Sequence, residues 1–84
     1  MVEIEFVCPT ELFEKEFKKL KDKGLKEKLK KQIGKIIENP DFGKPLRYNL
    51  KNERTIYVKP YRLIYKVKDN KLILLRFEHR NHVY

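Results

Sequence analysis

The apolar residues of this chain change their spacing once, and that change limits the folds open to it. From Phe13 to Ile37 they recur at steps of three and four: Phe13, Phe17 and Leu20, then Leu25, Leu29, Ile33, Ile36 and Ile37. Each set is the stripe of an amphipathic helix. From Leu46 onward the pattern is strand-like, with runs at residues 54–59, 61–68 and 72–77 and room for one more at 46–50. Residues 2–7, VEIEFV, set Val2, Ile4 and Phe6 against Glu3 and Glu5, as a half-buried strand does.

The punctuation agrees. Pro9 is expected to end the first strand, and Thr10 to cap a helix with Glu11 and Glu14 in its first turn. Residues 22–24 form a break, with Gly24 expected to close the first helix in a left-handed conformation. Asn39-Pro40-Asp41-Phe42-Gly43 reads as a turn, Lys59-Pro60 as a reversal, and Lys68-Asp69-Asn70-Lys71 as a tight hairpin. The expected architecture is α+β. An N-terminal strand leads into an α-helical hairpin, which packs on one face of a small antiparallel sheet of three to four further C-terminal strands. Residues 1–84 form a single domain.

A chain this short buries roughly 60–65% of its unfolded surface. Its core is therefore small, and any site is expected on a surface or in a shallow concavity. One cysteine, Cys8, leaves no intramolecular disulfide and no Cys/His zinc spacing. It reads as a small buried hydrophobe. No cofactor or metal is expected, and a reducing, cytoplasmic setting is. The opening MVEIEFVCPT lacks a basic region followed by an apolar run, so no signal peptide is expected. No apolar stretch nears the roughly 20 residues that span a bilayer, so no membrane partner is expected either.

Net charge is +9, and it is unevenly spread: residues 11–38 carry +4 and residues 44–84 carry +8. A field of that sign gathers polyanions. Strand alternation then sorts the side chains. Arg62, Ile64, Lys66 and Lys68 share one side; Thr55, Tyr57 and Lys59 share one side, with Arg54, Ile56 and Val58 opposite. Tyr61 and Tyr65 point away from Arg62, toward the helices. With helices on one face only, the open face should gather cations and a tyrosine, which suits a phosphodiester. His79 and His82 have no carboxylate cluster to join and are not read as a metal or acid/base pair.

The residues also resemble a family. The opening strand is followed by a helix ending in KKL (18–20) and a second ending in ENP (38–40). Then come GKPLR (43–47), LKNER (50–54), YRLIY (61–65) and the terminal HRNHVY (79–84). This ordered set resembles the RelE toxins of the RelE/ParE toxin–antitoxin superfamily. The resemblance implies a ribosome-dependent endoribonuclease that cuts mRNA in the A site without a metal. In that reaction the 2′-hydroxyl attacks the adjacent phosphate and leaves a cyclic phosphate. It implies catalytic roles for Arg62, Arg80 and Tyr84, the arginines holding the phosphate and its developing charge. Tyr84 would take the 2′-hydroxyl proton or stack on a base. Arg47, Arg54, Tyr57, Lys59 and Lys66 would bind RNA or phosphate. An acidic RelB-like antitoxin would complete a heterotetramer or larger complex, with the ribosomal A site and mRNA as further partners.

The sequence departs from the family where some members carry two lysines on the strand before YR. Thr55 and Tyr57 stand there, and the lysines' work would pass to Arg54, Lys59, Tyr57 or Tyr84. Two alternatives share the fold: a ParE-like protein that poisons DNA gyrase without cutting, and an RNA- or ribosome-binding module without catalysis.

Overall fold

The computed structural model describes residues 3–45 and 53–79. In chain order these form β1 (Phe6–Pro9), α1 (Glu11–Lys19), α2 (Lys23–Glu38), β2 (Lys44–Pro45), β3 (Glu53–Val58), β4 (Tyr61–Lys68) and β5 (Lys71–His79). The strands make one sheet in the order β1-β5-β4-β3-β2. β2 through β5 pair antiparallel, as expected, but β1 lies parallel to β5, so the sheet is mixed.

Two boundaries differ from the sequence reading. β1 starts at Phe6 and runs through Pro9. Its register, Phe6 beside Lys71 and Cys8 beside Ile73, sets Phe6 on the face away from the helices, where it is 56% exposed. Proline is tolerated because β1 is an edge strand. Residues 1–2 and 46–52, which include Val2 and the optional strand, lie outside the described residues.

The second difference is Gly24. No glycine takes a positive φ, and Gly24 is the second residue of α2. Leu20 ends α1 in an extended conformation, its N–H donating to the Phe17 carbonyl. Asp22 then caps α2, its carboxylate accepting from the Leu25 N–H at 3.1 Å. Leu20, not a glycine, thus closes α1, and Asp22 starts α2. The Asp69-Asn70 hairpin behaves as read, with Asp69 at φ 57°.

Both helices lie on one face of the sheet. Phe13, Leu20, Leu25, Leu29 and Ile36 meet Ile56, Val58, Leu63, Tyr65, Leu72, Leu74 and Phe77 in one core. Phe13 stacks on Phe17 with ring centroids 5.8 Å apart and tilts against Phe77 at 6.1 Å. Tyr61 stacks on Phe77 at 4.7 Å, on the helix side as expected. Among the described residues no helix is long and apolar enough to cross a membrane.

The β4–β5 pair is irregular. Ile64 faces Arg76 but Tyr65 faces Leu74, so Leu75 is an extra residue in β5. The bulge reverses parity along the strand. Leu72 and Leu74 point to the helices, and beyond Leu75 it is Phe77 that does so. Unbroken alternation would have sent Arg76 and Glu78 into the core. Thr10 receives the bulged backbone: its N–H donates to the Leu74 carbonyl at 3.0 Å and its hydroxyl to the Leu75 carbonyl at 2.8 Å. The same hydroxyl oxygen accepts from the Phe13 N–H and starts α1.

Candidate functional site

The open face is built from register. Tyr57 of β3 pairs with Arg62 of β4, and Arg62 pairs with Glu78 of β5. Cross-strand neighbours share a face with Cβ atoms about 5 Å apart. A phenol, a guanidinium and a carboxylate therefore stand in one row across three strands. The next row on that face is Thr55, Ile64 and Arg76, followed by Glu53, Lys66 and Ile73. Lys68 and Lys71 flank the hairpin. Lys66 is four residues from Arg62 along β4, about 13 Å at 3.3 Å per residue.

Arg62 is held rather than free. Its Nε and Nη2 both donate to Oε1 of Glu78, at 3.0 and 2.9 Å. The two side chains keep only 20% and 29% of their surface in water. Arg62 thus meets an acid on the sheet, although acids are scarce in this half of the chain. Nη1 of Arg62 and Oε2 of Glu78 have no partner among the described residues.

Sequence reasoning missed Glu78 because strict alternation puts it on the wrong face. The signal was available: Leu72, Leu74 and Phe77 cannot all be buried without a change of parity between Leu74 and Phe77.

Among the other expected residues that the structure describes, not all join this row. Tyr57 is 46% exposed beside Arg62. Lys59 lies in the β3–β4 turn and, with Tyr57, Lys28, Lys31, Gln32 and Val58, lines a shallow groove of 330 Å³. Lys66 is half-buried on the open face. Arg54 departs from expectation. It lies on the helix side, donating from Nη1 to the Gly43 carbonyl at 2.7 Å and pairing through Nη2 with Asp41 at 3.3 Å. Parity turns it away from the Tyr57–Arg62–Glu78 row, and the 39–43 turn occupies its guanidinium. Thr55, at one of the lysine positions, is buried, and its Oγ1 has no hydrogen-bond partner among the described residues. It offers nothing to a phosphate. Arg47, Arg80 and Tyr84 lie outside the described residues.

The arrangement can bind an anion at Arg62 and hold a carboxylate against it. Among the described residues no group of three or more His, Cys, Asp or Glu could hold a metal ion. His79 sits on the helix side with its ring edge-on to Tyr61 at 5.2 Å, removed from this row.

Fold and face together define a small toxin of a type II toxin–antitoxin system in the RelE/ParE superfamily. Three solved structures are similar. The intact RelBE toxin–antitoxin complex of E. coli aligns with a TM-score of 0.77 and 26% identity, over 88% of this chain and 94% of that one. The RelBE2 toxin–antitoxin complex of Mycobacterium tuberculosis aligns at 0.73 and 27%, over 89% and 96%. The conserved hypothetical protein HP0894 of Helicobacter pylori aligns at 0.64 and 30%, over 96% and 97%. No curated protein matches the sequence. Residues 7–84 match the family described as ParE toxin of type II toxin-antitoxin system, parDE, and the chain belongs to that family.

Proposed function

We propose that this toxin is a ribosome-dependent endoribonuclease that cuts mRNA in the A site and so stops translation. The observation that carries the reading is Arg62. It stands on the open, cationic face of the sheet, in the fold shared with RelE, between a phenol and a carboxylate. A guanidinium stays charged at any working pH and matches two phosphate oxygens at once. Lys66, Lys68, Lys71 and Arg76 extend the positive surface on which an RNA backbone would lie.

In the proposed reaction the 2′-hydroxyl attacks the adjacent phosphorus in line and the 5′-oxygen leaves. Arg62 and Arg80 neutralise charge growing on the phosphoryl oxygens. Tyr84 stacks on a base or moves a proton. Tyr57, Lys59, Lys66 and Arg47 hold the backbone, and Arg54 is not part of this set. In the cytoplasm an acidic RelB-like antitoxin covers the face, as a heterotetramer or larger complex. The RelBE structures, both toxin–antitoxin complexes, support that partner.

The test is a toeprint of translating mRNA. Wild type is expected to cut within the A-site codon, and an Arg62→Ala, Arg80→Ala double variant to lose the cut. Absent cleavage by wild type, or undiminished cleavage by the double variant, overturns the reading. The family match to ParE keeps a gyrase poison as the second reading. That reading predicts trapped double-strand breaks in expressing cells and an intact message.

A further inference from the structure

We propose that Glu78 is the proton acceptor for the attacking 2′-hydroxyl, with Arg62 holding carboxylate and phosphate side by side. The inference rests on the ribonuclease reading above. Three observations carry it.

The first is geometric. Both Arg62 donors that reach Glu78 end on Oε1, so Oε2 is left without a partner among the described residues. Nη1 of the same guanidinium is left as well, and it can take a phosphoryl oxygen. One planar group can thus bridge substrate and base. Glu78 keeps 29% of its side-chain surface in water, so it is reachable from solvent.

The second is electrostatic. A carboxylate lowers the affinity of a cationic face for RNA. Lys66, Lys68, Lys71 and Arg76 share the face and have no ion pair among the described residues. The face tolerates unpaired cations, yet it keeps one acid beside the phosphate-binding arginine.

The third is elimination. It is partial: Thr55 is buried and Arg54 lies on the other side of the sheet, so of the expected replacements for the missing lysines Tyr57 and Lys59 remain among the described residues. Glu53, the other acid described on this face, lies two rows away opposite Lys66.

The step balances. A bond forms between the 2′-oxygen and phosphorus, and the bond from phosphorus to the 5′-oxygen breaks. The 2′-hydroxyl proton passes to Oε2 of Glu78 and from there to solvent, and the departing 5′-oxygen takes a proton from water. The charged and titratable groups near Glu78 are Arg62 of β4 across the ladder, Tyr57 of β3 beyond it, Arg76 on the same side of β5, and Lys15 and Glu16 of α1, which line a groove at the edge of β5 with it. His79, next in the chain, points to the opposite face.

The experiment is single-turnover cleavage on programmed ribosomes, from the acidic to the neutral range, beside ribosome binding. Glu78→Gln is expected to cut about 10²–10⁴-fold more slowly, the usual worth of a general base. It should bind at least as tightly as wild type and lose the wild-type rise of rate with pH. A Gln variant that cuts like wild type overturns the proposal, as does one losing cleavage and binding in equal measure. Should Gln not melt cooperatively, Glu78→Asp decides. It is expected to cut more slowly with the rise retained, and a folded Asp variant with a flat profile overturns the proposal. A wild type that never cuts refutes the ribonuclease reading itself, a failure distinct from the others.

Discussion

Tyr65 uses one hydroxyl twice. It donates to the Pro40 carbonyl at 3.0 Å and accepts from the Gly43 N–H at 2.9 Å, tying the turn after α2 to the middle of the sheet. Tyr65→Phe leaves both backbone groups unsatisfied and is expected to cost about 1–3 kcal/mol in a denaturant melt. Burial raises the phenol above its ordinary value of 10.0, with Asp41 adding to the rise, against smaller lowering by the Gly43 hydrogen bond and Arg54. The unfolded chain then releases this proton at lower pH than the folded one. Stability from this group is complete below about pH 10 and falls as pH climbs above it. Wild type should lose stability there more steeply than Tyr65→Phe. Gly43 needs its missing side chain for the same contact: a Cβ would come within 2.7 Å of the Tyr65 hydroxyl and 3.0 Å of the Thr55 carbonyl oxygen. Gly43→Ala is expected to destabilise by about 1–3 kcal/mol, read as a lowered melting temperature. Both partners stand in the sequence as ordinary letters. Their meeting was hidden because it joins residues 22 apart through a turn whose path no periodicity encodes.

At the scale of elements, the helices and the span of the last strand were legible, but the faces of that strand were not. The stripes of α1 and α2 predicted their buried faces because helical period survives any tertiary arrangement. A single inserted residue inverts everything beyond it in a strand, and LILLRFE gives no local sign of which leucine is extra. Two of the three residues of the candidate row, Tyr57 and Arg62, were therefore readable directly, and Glu78 only through the change of parity between Leu74 and Phe77. Deleting Leu75 removes the bulge but keeps the parity, because Arg76 then follows Leu74 directly: Phe77 stays toward the helices and Glu78 on the open face. The expected result is a protein that still melts cooperatively, at a lower temperature because the Thr10 hydroxyl loses the Leu75 carbonyl, while alanine at the same position keeps that contact. Thr10 couples this bulge to α1 through one side chain. Thr10→Ala is expected to cost about 1–2 kcal/mol and Thr10→Ser to recover most of it, measured by chemical denaturation.

Across the whole molecule, charge and layering cooperate. Two helices cover one face, so the cations of β4 and β5 remain on the other, and the C-terminal excess of charge was a fair guide to that face. Binding to single-stranded RNA should weaken with salt, and Lys66→Ala should reduce the slope by roughly 0.7, the share of one phosphate contact. An unchanged slope would place Lys66 outside the RNA path. What composition could not reveal was the parallel seating of β1 on β5, because alternation is blind to strand direction and order.

That seating joins partners 65 positions apart, with the later one lying inside the sheet between β1 and β4. During synthesis the opening strand has nothing to dock on until the last strand leaves the exit tunnel. The row of Tyr57 and Arg62, set by the β3–β4 hairpin, is completed by Glu78 only when β5 pairs with β4. A chain cut short before β5 is expected to leave β1 without its partner strand and the row without its carboxylate.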